Sequence, residues 1–347
     1  MAVRPAGDFK ITYRQDMALL DTAFYRWGFL LLVAALVLAP YWLGHFIFLL
    51  STIGIFAIGA TGLSLLTGFT GQISLGHAAF MAIGAYGSAV LTGSYGLPFV
   101  LALPLSGVLA FAFGAIVALP SLRIKGLYLA IATLAFQFLT EYTIIHAVGQ
   151  GLGAISLRAP RIGPWILRGE VQFYYLLLAV WLVSGVFAAN LIRSRIGLAL
   201  MAVRDRDYAA QVMGINLLAH KALAFGLAAF YAGIAGSLWA HYNRLISPEH
   251  FTIVTSIDYV AMIVIGGLTS VWGPHLGAAF VTALSQGLKI VTPAVVTVLP
   301  AFGKIATPLR EIVFGVILIA LLIWEPGGLA ALARKLKRLL DLWPFSY

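Results

Sequence analysis

Along most of the chain, apolar positions run together in stretches of about 17 to 25 residues, the length needed to cross roughly 30 Å of hydrocarbon. Short polar or glycine-rich segments separate the stretches. Lipid cannot satisfy a bare peptide group, so each stretch must be a helix or part of a closed barrel. The stretches are uniformly apolar and do not alternate with a period of two, which selects helices. The pattern predicts an all-α membrane protein of about ten transmembrane helices with interrupted segments. The spans fall at 27–43, 46–66, 77–91, 97–119, 127–146, 172–192, 222–240, 257–268, 276–291 and 308–324. The eighth is short, and polar residues interrupt the ninth. The chain divides into a cytoplasmic N-terminal segment (1–26), a transmembrane domain (27–324) and a basic cytoplasmic tail (325–347). Residues 1–26 are polar and mixed in charge, so no cleavable leader is expected there.

Two connecting segments are long. The outer loop 147–171 is rich in Gly and Pro. The inner loop 193–220 reads as a helix near 200–213, with Met201, Val203, Tyr208, Ala209 and Val212 among its apolar positions. Gly214 stands where a C-terminal cap belongs. Two glycine-rich breaks lie between spans. The first is Thr67-Gly-Phe-Thr-Gly-Gln-Ile-Ser-Leu-Gly-His77 and the second is Gly266-Gly-Leu-Thr-Ser-Val-Trp-Gly-Pro274. Irregular backbone at membrane depth is tolerated only against protein or a water-filled cavity. The first break therefore reads either as a re-entrant turn beside a transport pathway or as an inner loop with glycine-mediated helix packing. The paired breaks, each before a small-residue helix start, form a weak internal repeat.

Charge orients the chain. The formal net charge is +10, which by itself is compatible with nucleic acid as a partner. With the N-terminus in the cytoplasm, about two thirds of the 22 Lys and Arg residues fall on inner segments. The basic groups then face an anionic inner leaflet, and nucleic acid is excluded as a partner. Hydrophobic residues make up 61% and charged residues 10% of the chain, against roughly 25% charged in soluble domains. Two soluble domains are excluded on that ground.

Catalytic chemistry is missing from the sequence. No Walker-type phosphate loop, metalloprotease pair or nucleophile elbow occurs, and there is no cysteine. Gly149-Gln-Gly-Leu-Gly153 follows a membrane span rather than a strand and only superficially looks like a dinucleotide loop. Glu141, Asp258 and Glu311 sit near span ends, where snorkelling or local pairing accounts for them better than a proton relay.

Three long stretches carry a resemblance. They are Gly71-Gln-Ile-Ser-Leu-Gly-His-Ala-Ala-Phe-Met-Ala-Ile-Gly-Ala-Tyr86, then Ser194-Arg-Ile-Gly-Leu-Ala-Leu-Met-Ala-Val-Arg204 with Ala209-Ala-Gln-Val-Met-Gly-Ile-Asn216, and Ser247-Pro-Glu249 with the second break. Arg123-Ile-Lys-Gly-Leu-Tyr-Leu-Ala130 and Pro326-Gly-Gly-Leu329 also fit. From about Gly59 to Leu329 the chain resembles the permease subunits of bacterial branched-chain amino acid ABC importers, particularly the M-type subunit. The resemblance implies the ABC importer permease fold in the bacterial inner membrane with both termini cytoplasmic. It implies a second, H-type permease subunit, two cytoplasmic ATPase subunits and a periplasmic substrate-binding protein. No cofactor is expected in this chain, because ATP and magnesium would sit on the ATPases.

The inner loop is then expected to couple to the ATPase through Met201, Arg204, Asp205, Asp207, Tyr208, Ala209 and Gly214. The alternative is an amphipathic helix resting on lipid headgroups. Gln72, Ser74 and His77 at the first break, with Tyr128, Thr133 and Gln137 on span five, are expected to line the pathway. Arg158, Arg161, Arg168 and Arg244, basic residues on the disfavoured outer side, are expected to dock the binding protein. One stretch departs from the family: Gly149-Gln-Gly-Leu-Gly-Ala-Ile-Ser-Leu157 replaces its usual Thr-Gly-Gly-type run. Relatives of this fold carry urea, short amides, aromatic acids and other amino acids, so a permease for one of those is the alternative, ahead of a secondary transporter.

Overall fold

In the computed structural model, residues 23–42, 44–147, 154–162, 165–167, 169–298 and 306–342 are described. Each of the ten expected spans coincides with a helix. They are α1 (Ala23–Trp42), α2 (Ile47–Leu63), α3 (His77–Gly93), α4 (Phe99–Val117), α5 (Leu127–Ala147) and α6 (Glu170–Arg193). The inner loop holds α7 (Arg195–Asp205) and α8 (Asp207–Val212). Beyond it come α9 (Leu217–Asn243), α10 (Ile253–Gly266), α11 (Gly273–Val298), α12 (Ala306–Trp324) and a final α13 (Leu329–Leu342).

Six helical stretches among the described residues are long and apolar enough to cross a membrane alone, or seven if the bent pair Ile312–Trp324 and Leu329–Lys335 counts as one span. Two expectations need correction. The eighth span is not short: a 3-10 turn at Pro248–Phe251 precedes α10, giving an apolar stretch of 19 residues, Pro248–Gly266. The ninth is not interrupted: α11 runs unbroken through Ser285, Gln286 and Lys289. Such side chains cost a helix little propensity, so they do not break it.

The arrangement has a buried centre and an apolar outside. α9 packs on α4, α3 and α2, while α2 also contacts α11 and α6, and α10 pairs with α11. Small residues allow the close crossings, as where Gly84 of α3 meets Gly233 of α9. Threonines inside these helices return their hydroxyls to the carbonyl four residues back, Thr52 to Phe48 at 2.8 Å and Thr61 to Ala57 at 2.7 Å. Each of these hydroxyls is thereby satisfied within its own helix. On the outside, α4 and α6 present Leu101, Val108, Ile116, Val183 and Phe187, the face expected toward lipid or another chain.

At one end, β1 (Ile155–Ser156) pairs antiparallel with β4 (Leu245–Ile246), and β2 (Arg161–Ile162) pairs with β3 (Trp165–Ile166).

Candidate functional site

The two glycine breaks meet. After α2 the helix widens into a π-helical turn, Ser64–Gly68, and the chain then runs non-helically from Gly71 to Gly76. Ser64 Oγ donates to the Leu268 carbonyl of the second break at 3.3 Å. A Cβ on Gly68 would run into that same carbonyl, so only glycine permits the approach. The closing Gly327-Gly328 turn packs on Gly267 of the second break. Three irregular segments, far apart in sequence, thus form one buried junction, the setting in which irregular backbone is stable at membrane depth.

A polar strip leads away from the first break. Ser74, His77, Thr133 and Gln137 are buried. Thr133 Oγ1 accepts from the Leu75 amide at 2.9 Å. Gln137 Nε2 donates to the Phe251 carbonyl at 2.5 Å, and Ser256 Oγ donates to Gln137 Oε1 at 3.4 Å. Ser256 Oγ also accepts from the Ala78 amide at 2.9 Å. His77 Nε2 lies 2.9 Å from the Gly59 carbonyl, with the Tyr259 ring against it edge-on. Gln72 is buried with neither side-chain polar atom bonded within the protein.

Five of the six expected pathway residues therefore belong to one neighbourhood at the junction of α3, α5 and α10. Tyr128 does not. It lies 76% exposed on the opposite face of α5, with Ile131, Phe138 and Leu139. Thr133 and Gln137 are four apart and share the inner stripe, whereas position 128 falls on the outer one. Ser256 and Tyr259 complete the strip and had no sequence signal, since each looks like an ordinary residue of an apolar helix.

The inner loop is two helices rather than one. α7 starts at Arg195, where Ser194 caps it by accepting from the Gly197 amide at 3.4 Å. Arg206 is extended (φ −154°, ψ 96°) and separates α7 from α8. The expected single helix over 200–213 is corrected on both counts. Ser194 sets the earlier start, and the extended Arg206 within the Arg-Asp-Arg-Asp run divides the two helices. Gly214 does close α8, at φ +86°, as expected. The Ile215 amide donates to the Ala210 carbonyl at 3.0 Å and the Gly214 amide to the Gln211 carbonyl at 3.0 Å, the paired bonds of a Schellman cap.

One face of this loop is inward. Leu200, Val203 and Ala210 are buried and Met201 packs partly against the core. Tyr208, Val212 and Met213 stand 76%, 87% and 82% exposed, an apolar surface left uncovered among the described residues. Ala209 and Asp205 are exposed as well. Two contacts fasten the loop to the membrane helices. Arg204 Nη1 donates to the Gly68 carbonyl at 2.8 Å. Lys125, from the turn before α5, forms an ion pair with Asp207 and lies 4.8 Å from the Tyr208 ring centre. Hydrogen bonding to the lysine lowers the Asp207 pKa, and the same bond raises that of Lys125.

At the opposite end, the Leu157 amide donates to the Arg244 carbonyl at 2.8 Å, beside the β1–β4 pair. The two loops expected on the outer side are therefore tied together. Arg158 and Arg161 are exposed and line a cavity of about 490 Å³ with Thr92, Phe99 and His241. Arg244 is exposed and lines a neighbouring cavity of about 380 Å³. Arg168 lies outside the described residues. His241 was not anticipated; it is buried, its Nδ1 3.0 Å from the Ser237 carbonyl and its ring 4.4 Å from that of Phe99. Among the described residues no cluster of three or more His, Cys, Asp or Glu side chains is placed to hold a metal.

Known proteins match this chain over most of its length. The family described as the permease component of the branched-chain amino acid transport system covers residues 45–322. The chain is 30% identical to the high-affinity branched-chain amino acid transport system permease protein LivM of Escherichia coli K12, over 88% of this chain and 75% of that protein. The probable branched-chain amino acid transport permease protein LivH of Methanocaldococcus jannaschii is 27% identical, over 81% of this chain and 90% of that protein. The inner membrane ABC transporter permease protein YjfF of E. coli K12 is also 27% identical, over 68% of this chain and 70% of that protein. No solved structure matches. A buried junction of helix breaks, a fastened inner loop with an uncovered apolar face, and a family match across 45–322 converge: the chain belongs to the permease family of branched-chain amino acid transport systems.

Proposed function

We propose that this chain is the M-type permease subunit of a binding-protein-dependent ABC importer for branched-chain or related amino acids. It pairs with an H-type permease, two cytoplasmic ATPases bind beneath, and a periplasmic binding protein delivers the substrate. The inner loop transmits ATP-driven movement. Tyr208, Val212 and Met213 seat in a groove of the ATPase, the helix-in-groove mode of recognition. Arg204 carries the movement to the first break and Lys125–Asp207 to the start of α5. The observation that carries this reading is the Arg204–Gly68 bond, which joins the exposed loop directly to the buried junction.

Ten spans with both termini inside is the topology we favour. Contacts sort the segments as alternation requires. The segments assigned inside touch one another at Gly68–Arg204, Lys125–Asp207, Ser121–Lys221 and Gly267–Gly328. Those assigned outside touch at Leu157–Arg244 and share the Arg158 cavity. The binding-protein docking surface is then the tied outer loops, with Arg158, Arg161 and Arg244 at its rim.

Substrate class is tested on the cognate binding protein by calorimetry against leucine, urea, a short amide and an aromatic acid. Binding of leucine supports the amino-acid reading. Binding of urea, the amide or the aromatic acid in its place overturns it. Coupling is tested by cysteine at Val212 in this cysteine-free chain, which should crosslink to the ATPase. Crosslinking only to lipid-directed reagents would favour a helix lying on headgroups.

A further inference from the structure

Between the first break, the turn before α5 and the inner loop lies a cavity of about 350 Å³. Its charge is unusual. Four cationic side chains from three segments line it: Lys125, Arg204 with Arg206, and Lys221. Asp205 and Asp207 also line it, and Asp207 is engaged by Lys125. Lys221 is 5% exposed and donates to the Ser121 carbonyl at 3.1 Å, which uses one of the three donors of an ammonium. Arg204 gives one N–H to Gly68, out of five on a guanidinium.

A buried amide lines the cavity with these cations. Gln72 is 6% exposed, lines the same cavity, and has neither amide atom bonded within the protein. Leaving a buried amide without a partner is unfavourable, so its place in this cavity calls for a polar occupant. We propose that the cavity binds a phosphate group, either that of an anionic phospholipid of the inner leaflet or a free phosphate. A tetrahedral anion offers acceptor oxygens in several directions, which suits cationic donors arriving from three segments better than a flat carboxylate does. The cavity also lies among the segments assigned to the cytoplasmic side, where anionic headgroups concentrate. A phosphate there would touch both Gln72 of the first break and Arg204 of the inner loop, the two ends of the link described above. The ATPase-facing residues Val212 and Met213 do not line it.

The test is direct binding to the assembled complex and does not depend on transport or on the substrate. In nanodiscs containing phosphatidylglycerol and phosphatidylcholine, native mass spectrometry counts retained phosphatidylglycerol. In phosphatidylcholine discs alone, equilibrium dialysis measures labelled inorganic phosphate. Lys221→Gln should lower retention about tenfold, the loss of one charge-assisted hydrogen bond. Arg334→Gln, an equally basic position on α13 away from the cavity, should leave it unchanged. If Lys221→Gln does not assemble, Arg206→Gln, at an exposed side chain, makes the same comparison. Retention of phosphatidylglycerol without phosphate binding identifies a lipid headgroup, and saturable phosphate binding identifies the free anion. Binding of neither, or an equal loss with Arg334→Gln, overturns the proposal.

Discussion

Replacing Arg204 with methionine isolates the link between the inner loop and the first break. Methionine keeps the stem that packs on Gly71, where a Cβ would lie 3.1 Å from Arg204 Cγ, and removes only the guanidinium. What is lost is the 2.8 Å bond from Nη1 to the Gly68 carbonyl. A hydrogen bond to a charged group contributes about 1.5–3 kcal/mol, and the exposure of this arginine puts it at the low end. About 1.5 kcal/mol corresponds to roughly tenfold in an equilibrium between coupled and uncoupled arrangements. The assay reconstitutes the complex in liposomes and measures substrate taken up per ATP hydrolysed, with binding protein present. Arg204→Met should assemble with its ATPases, hydrolyse ATP, and move about tenfold less substrate per ATP. Arg204→Lys should fall between, since an ammonium reaches the carbonyl with a single point donor. An unchanged ratio in Arg204→Met would show that force reaches the spans by another contact.

Other perturbations follow from the same geometry. Gly214→Pro places a ring fixed near φ −65° where the backbone needs +86° and deletes the amide that donates to Gln211, so α8 should fray. Pull-down of the ATPases should then weaken with membrane insertion intact, and undiminished pull-down counts against the loop as their seat. Gln137→Leu leaves the Phe251 carbonyl and Ser256 without their partner and should cost about 1–3 kcal/mol, read as a lowered Tm in detergent. Charge reversal at Arg158 and Arg161 should reduce ATPase stimulation by the binding protein at low salt and spare basal hydrolysis; equal stimulation would remove these arginines from the docking surface. Asp207 has a lowered pKa, so its contribution is complete above the ordinary value of 3.8 and is lost as pH falls through the lowered one. The raised Lys125 pKa places its loss above 10.5. Coupling should therefore be flat between about pH 5 and 9 as far as this pair is concerned, and a midpoint in that window would assign the titration elsewhere.

The apolar helices were legible because bilayer thickness dictates a run length that few other structures require. Gly214 was legible for a related reason, since a glycine after a periodic run has one common use. The interruption at Arg206 was not, because neither flanking aspartate nor arginine forbids a helix. Tyr128 departs from Thr133 and Gln137 because five residues along a helix turn it about 140° onto the other face. Ser256, His241 and the Ser64–Leu268 contact were invisible for another reason. Ser256 meets Gln137 119 residues away, His241 meets Ser88 153 away at 3.4 Å, and Leu268 lies 204 from Ser64; no local pattern reports that two breaks will touch.

The central claim is that this chain conducts substrate only when ATP is hydrolysed on partner subunits. Uptake of labelled leucine tests it in liposomes holding this chain, its permease partner and both ATPases, with binding protein outside and ATP within. The account predicts uptake that needs ATP and binding protein and that stops when the ATPases are inactivated. Uptake driven by an ion gradient without ATP would contradict it.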